Sequence, residues 1–162
     1  MKSELVKRFV GIKLFLFDLE GVLIPKSFVV SPESLAGLIK KLHSGCEELK
    51  KLGAMFGIVT SRNDELVSRL KEEGGCILVS ASLDKVQMVN DLSGKLNIDY
   101  KNIFYIGDDM LDIPLLQKCG LSSSPKDGRR EVKRVVTFTA KNNSGEVLQE
   151  IIDYFKESKK MN

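Results

Sequence analysis

Short apolar runs separated by stretches of helical period set the pattern of this chain. Ile12–Phe17 comes first, then Met55–Val59, Cys76–Val79 and Ile103–Ile106, with a weaker pair at Gly120–Ser122 and Val135–Phe138. These blocks are apolar throughout rather than alternating, which predicts parallel strands covered on both faces. The architecture implied is α/β, a doubly wound and mostly parallel Rossmann-like sheet with right-handed crossovers.

The intervening segments carry helix signals. Ser44-Gly-Cys-Glu47 is a capping-box pattern before Leu49 and Leu52, with Gly53 as a stop. Asn63 or Asp64 caps a helix carrying Leu66, Val67 and Leu70, ended by Gly74-Gly75. Val86, Val89, Leu92 and Leu96 mark another, Leu111, Leu115 and Leu116 a short one, and Val147 to Phe155 the last. Residues 24–43 allow two readings. Phe28-Val-Val30 reads as a short strand, and Ser31-Pro-Glu33 starts either a helix with Leu35, Leu38, Ile39 and Leu42 on one face or the turn of a β-hairpin. That insert is too short for a separate cap domain. The expectation is one domain over 1–162, with an insert at about 24–43 and a frayed tail at about 156–162.

Composition narrows the class. The chain has 162 residues, 43% hydrophobic and 29% charged, with a net charge of +3. Its basic residues are interleaved with acidic ones, which argues against nucleic-acid binding. Its N-terminus lacks a signal-peptide core, and no apolar run approaches the ~20 residues of a membrane span. Three widely spaced Cys and a single His offer no zinc spacing. The expectation is reduced thiols, no disulfide framework and a cytoplasmic setting.

Each main strand end carries a different polar group. Asp18 and Glu20 follow the first. Thr60, Ser61 and Arg62 follow the second, Lys85 the third, and Asp108, Asp109 and Asp112 the fourth. In an open parallel sheet these groups converge on one edge. Such a set suits phosphoryl transfer. A carboxylate attacks, a divalent ion held by Asp18 and Asp108 screens the phosphate, Thr60 and Lys85 hold its oxygens, and a second acid moves protons. Read singly, Asp108 and Asp109 cap the following helix, Lys85 is a solvated lysine, and Arg62 pairs with Asp64 or Glu65.

Asp18-Leu-Glu-Gly-Val, Thr60, Lys85 and Gly107-Asp-Asp-Met-Leu-Asp112 resemble the four motifs of the haloacid dehalogenase superfamily phosphatases. More narrowly, the chain resembles the cap-less 3-deoxy-D-manno-octulosonate 8-phosphate phosphatase group and related sialic-acid-type sugar phosphatases. Ile58-Val-Thr-Ser-Arg-Asn63, Asp84-Lys85 and Ile113-Pro114 carry that likeness. The resemblance implies Asp18 as nucleophile, Glu20 as acid/base, and Thr60, Ser61 and Lys85 as phosphate ligands. It implies Mg²⁺ held by Asp18, by the Glu20 carbonyl and by Asp108, with Asp109 or Asp112 in support, and Arg62 at the substrate mouth. It also implies a small-molecule phosphate ester as substrate, no nucleic-acid or membrane partner, and a homotetramer whose 24–43 hairpins meet over the sites.

The chain departs from that pattern in three places. Glu20 stands where the family has Asp, a carboxyl displaced by about 1 Å or more, and misplacement on that scale can cost on the order of a hundredfold in rate. Residues 142–149 keep Gly145 but lack the family's following Arg, and Leu42-His-Ser-Gly45 replaces an Asp-Gly pair. Two other functions stay open on these residues. One is a degraded domain kept for oligomerisation or regulation. The other is a receiver-type phosphoacceptor, whose motif order differs from the one found here.

Overall fold

The computed structural model describes residues 2–161. Six parallel strands form one sheet in the order β3-β2-β1-β4-β5-β6: β1 Leu14–Phe17, β2 Met55–Thr60, β3 Leu78–Ala81, β4 Ile103–Ile106, β5 Leu121–Ser124 and β6 Phe138–Thr139. The helices are α1 Lys2–Arg8, α2 Pro32–Lys51, α3 Glu65–Glu73, α4 Lys85–Leu96, α5 Ile113–Lys118, α6 Arg130–Lys133 and α7 Val147–Lys159. This is the expected Rossmann-like α/β fold.

Strand β1 is central because every one of its residues is buried. Phe15 and Phe17 face one core, with Phe56, Phe104 and Phe155, while Leu14 and Leu16 face the other, with Val59, Val89 and Tyr105. That period-two split between two covered faces accounts for the unbroken apolar run. Chain order runs outward from β1 through β2 to β3, then returns to β4 on the other side. A topological switch point therefore lies between β1 and β4, where such sheets place ligands beyond the strand ends.

Four expectations are corrected. Residues 32–51 form one twenty-residue helix, which bears out the helix reading from Ser31-Pro-Glu33 and removes both the hairpin alternative and the separate helix start at Ser44. The cap is Ser31, whose side chain accepts from Ser34 N–H, with Pro32 in the first turn. Gly45 lies mid-helix because α7 packs against it there. A Cβ at Gly45 would sit 3.0 Å from the Leu148 side chain. Phe28-Val-Val30 forms no strand, and Val29 and Val30 are exposed. Two of the three cysteines expected to stay free are paired, and Cys119 stays free as expected. Cys46 on α2 and Cys76 before β3 form a disulfide across thirty residues of sequence, a proximity created by the packing of α2 rather than by any spacing motif. Finally, α7 continues past Lys156 to Lys159, held by buried Ser158, whose hydroxyl donates to the Phe155 carbonyl.

Among the described residues, no helix is long and apolar enough to cross a membrane.

Candidate active site

All the residues singled out at the strand ends line one cavity of about 200 Å³, beyond the C-terminal edge of β1, β2 and β4. A larger apolar groove of about 580 Å³ lies between α2 and α3 and contains none of them. The chemistry is in the smaller one, because the buried carboxylates Asp18, Asp108 and Asp112 converge there with buried Lys85.

The floor of the cavity is buried and tightly bonded. Lys85, the first residue of α4, reaches in under the strand ends. Its ammonium lies 3.1 Å from Asp18 Oδ1 and 2.7 Å from Asp112 Oδ1. Asp18 Oδ1 also accepts from the Leu19 N–H at 2.8 Å. Asp112 uses both oxygens fully. Oδ1 accepts from Lys85 and from the Tyr105 hydroxyl at 2.6 Å, and Oδ2 accepts from the Asp108 and Asp109 N–H groups at 3.1 Å each. Asp112 is thus a fixed post that shapes the Gly107–Asp109 turn. Thr60 is buried, and its Oγ1 accepts from the Arg62 N–H at 3.0 Å. Gly21 takes φ +83°, and a Cβ there would lie 2.0 Å from Asp108 Oδ2, so only glycine lets this turn close over the acidic floor.

Charge follows burial. Burial and then the Asp112 charge push the Asp18 carboxyl well above the usual range, against the pull of Lys85. Asp108 is raised for the same two reasons, against a hydrogen bond with Asp18 and, less strongly, the Lys26 charge. Burial also opposes ionisation of Asp112, but the Lys85 ammonium outweighs it and holds that carboxyl low. Lys85 is desolvated too, yet Asp18 and Asp112 keep it charged and raise it. Asp18 and Asp108 therefore hold their protons above the ordinary carboxylate range, and once ionised they carry a negative surplus that Lys85 and Lys26 cancel only in part.

That surplus is what a cation would neutralise. Asp18, Asp108 and Asp112 each offer an oxygen, all within 4.8 Å of one another. An all-carboxylate donor set suits a hard ion such as Mg²⁺. Asp112 is already saturated by four donors, which leaves Asp18 and Asp108 as the oxygens free to ligate.

The rim is exposed. The Glu20 carboxylate points outward and takes Arg62 Nη1 at 3.1 Å, while Arg62 Nε also bonds Asp64. Arg62 therefore combines both sequence readings, at the mouth and in an ion pair. Asp109 turns away from the floor to cap Met110 N–H at 2.6 Å and to pair with Arg129 Nε at 3.2 Å. Ser61 lines the mouth and is exposed.

Three residues escaped the sequence reading. Tyr105 sits in an apolar strand, and its signal was a hydroxyl that needs a buried partner. Lys26 lies 3.6 Å from Asp108 Oδ2, and Arg129 lies beside Asp109. Nothing in their sequence surroundings marks either one.

An acidic floor with one buried lysine at the switch point of a parallel sheet is the site of a hydrolase in the Rossmann-like class. Residues 71–152 match the haloacid dehalogenase-like hydrolase family, and the chain belongs to that family. Escherichia coli (strain K12) 3-deoxy-D-manno-octulosonate 8-phosphate phosphatase KdsC is 29% identical over 142 residues, covering 78% of this chain and 69% of that protein. The structure of the Moraxella catarrhalis 3-deoxy-D-manno-octulosonate 8-phosphate phosphatase, in complex with magnesium, phosphate and KDO, shares the fold. Its TM-score is 0.80 at 23% identity, covering 96% of this chain and 92% of that one. A putative HAD superfamily (subfamily III A) hydrolase from Legionella pneumophila superposes with a TM-score of 0.83 at 21% identity, covering 98% and 89%.

Proposed function

We propose that this chain is a Mg²⁺-dependent phosphatase that hydrolyses the phosphate monoester of a small sugar or sugar acid through an aspartyl phosphate on Asp18. The observation that carries this reading is the convergence of Asp18, Thr60, Lys85 and Asp108 on one cavity with a negative surplus at its floor. Asp18 and Asp108, with the Glu20 main-chain carbonyl, would hold the ion. When bound, the ion screens the charge between carboxylate and phosphate and polarises the phosphoryl oxygens.

The remaining steps belong to the chain. Thr60, Ser61 and Lys85 orient the phosphoryl group by hydrogen bonds that strengthen as charge develops. An Asp18 carboxylate oxygen attacks phosphorus, and the bond from phosphorus to the ester oxygen breaks. Glu20 gives its proton to the departing oxygen. The Glu20 carboxylate then takes a proton from water, whose oxygen attacks the aspartyl phosphate to release inorganic phosphate and restore Asp18. Arg62 faces the leaving group, and releasing its contact to Glu20 would free that carboxyl for proton transfer.

The sugar-acid class is supported by the substrate named for the Escherichia coli relative. Residues 142–149 carry no Arg, which leaves the leaving-group contacts to Arg62 and to neighbouring subunits. A homotetramer is supported by exposed apolar side chains, with Val29, Leu83 and Leu111 at 76%, 85% and 75% exposed and Leu111 lining the cavity. The test is a panel of p-nitrophenyl phosphate, sugar-acid phosphates, sugar phosphates and nucleotides with Mg²⁺. The expected result is turnover of sugar-type esters that EDTA abolishes and that Asp18→Asn lacks. Full activity in Asp18→Asn would overturn the mechanism.

A further inference from the structure

We infer that Lys26 is a built-in counter-cation that competes with the divalent ion for Asp108, so that this chain binds its metal weakly until a phosphate ester draws the lysine away. The inference rests on the metal reading above and concerns a residue that reading does not use.

The geometry is specific to Lys26. It occupies a tight turn closed by the Phe28 N–H donating to the Pro25 carbonyl at 3.0 Å. Both ends of that turn are anchored, with Phe28 packed against the core and Pro25 lying against Gly145. The ammonium reaches Asp108 Oδ2 at 3.6 Å. The lysine side chain is 57% exposed, while the Asp108 side chain is 6% exposed.

Asp108 needs such a partner. Asp112, equally buried, is held by four donors, whereas Lys26 is the one ion-pair partner of Asp108 among the described residues. Lys85 serves Asp18 and Asp112 from below, and Lys26 serves Asp108 from the solvent side. The three carboxylates are therefore bracketed by two lysines, one buried and one more than half exposed. A divalent ion at Asp108 meets the Lys26 charge a few ångströms away and must displace it.

Lys26 also lines both the candidate active-site cavity and a second cavity of about 330 Å³ that opens on the far side of Asp108 toward Arg129 and Ser144. A displaced ammonium has room there, and because Lys26 lines both cavities it can also turn to a phosphate in the first. Metal and phosphate thereby help each other to bind, because the phosphate takes over the lysine that the metal has released.

The test is calorimetric titration of Mg²⁺ into the wild-type protein, Lys26→Met and Lys26→Arg, without substrate and again with inorganic phosphate. Lys26→Met should bind Mg²⁺ about three- to tenfold more tightly than wild type, the scale of a unit charge near a divalent ion under water-like screening. Lys26→Arg should stay near wild type. Inorganic phosphate should tighten Mg²⁺ binding more in wild type than in Lys26→Met. Unchanged or weaker Mg²⁺ binding in a Lys26→Met protein that unfolds at the wild-type temperature would overturn the inference and leave the phosphatase reading standing. Absence of Mg²⁺ binding in wild type and both variants would sink the reading and the inference together. If Lys26→Met is unfolded, Lys26→Gln takes its place in the same titration, with the same two outcomes.

Discussion

The floor and the rim of the cavity are built by different rules. On the floor, Asp18, Lys85, Asp112, Tyr105 and Thr60 are buried, and each is fixed by a hydrogen bond or ion pair to a neighbouring strand end, helix start or turn. On the rim, Glu20 pairs with Arg62 and Asp109 with Arg129 through part-exposed side chains on loops, and Lys26 reaches from its own loop down to Asp108. Exposed pairs are weak and exchange readily, with a typical value of about 0–1 kcal/mol. Buried pairs cost several kcal/mol when one partner is removed. The floor thus holds one geometry, and the rim can re-pair around a ligand. A phosphoryl group is the same in every ester, so the rigid floor suits it. Leaving groups differ, so the mobile rim suits them.

Substitutions test that division, and the floor should give the largest effects. Asp18→Asn removes the proposed nucleophile and should lower turnover by at least about four orders of magnitude. It should also raise the melting temperature of the metal-free protein, because it deletes a carboxylate that burial and Asp112 oppose. A melt and a rate assay on one preparation check both, and a lower melting temperature would contradict the charge surplus. Lys85→Met should cost about 3 kcal/mol in a urea titration, because Asp18 and Asp112 lose their common cation, and should also abolish measurable turnover.

Rim substitutions should be gentler and should separate by substrate. Glu20→Gln should slow esters with poor leaving groups by about a hundredfold and p-nitrophenyl phosphate much less, because only the former need a proton. Equal losses on both would remove Glu20 from the acid role. Arg62→Ala should raise KM for an anionic sugar phosphate by about tenfold with little change in kcat. Its effect on stability should lie within about 0.5 kcal/mol.

The smallest effect is on pH. The raised Asp18 and Asp108 carboxyls give the folded metal-free protein more bound protons than the unfolded chain, over the window between the ordinary carboxylate range and their raised values. Stability therefore falls as pH rises through that window. The depressed Asp112 acts oppositely, and its contribution is lost only as pH drops below the ordinary range. A metal-free melting temperature highest near about pH 5 and lower at neutral pH is expected, with Mg²⁺ removing the difference.

Much of this was legible in the residues themselves. The unbroken apolar run Ile12–Phe17 specified a central strand because both faces of β1 are covered, and the Asp at its end followed from strand geometry. The order Asp18, Thr60, Lys85, Asp108 specified a family and a cavity, because parallel strands present their C-terminal ends on one side. Helix α2 was harder to read, because Ser31 and Ser44 carry equally good local start signals. Packing of α7 against Gly45 decided between them, and no local pattern records a contact with a helix a hundred residues later. The Cys46–Cys76 pair has the same origin.

The sequence by itself determined the fold class, the chemistry of the strand ends and the family. Each of these depends on periodicity or motif order, which are properties along the chain. Tertiary structure alone decided which acid is saturated and which is free. Asp108, Asp109 and Asp112 are alike in type, yet one is left to Lys26, one faces Arg129 and one is locked by Lys85 and Tyr105. Those partners come from distant loops and strands, and burial sets what each pairing is worth.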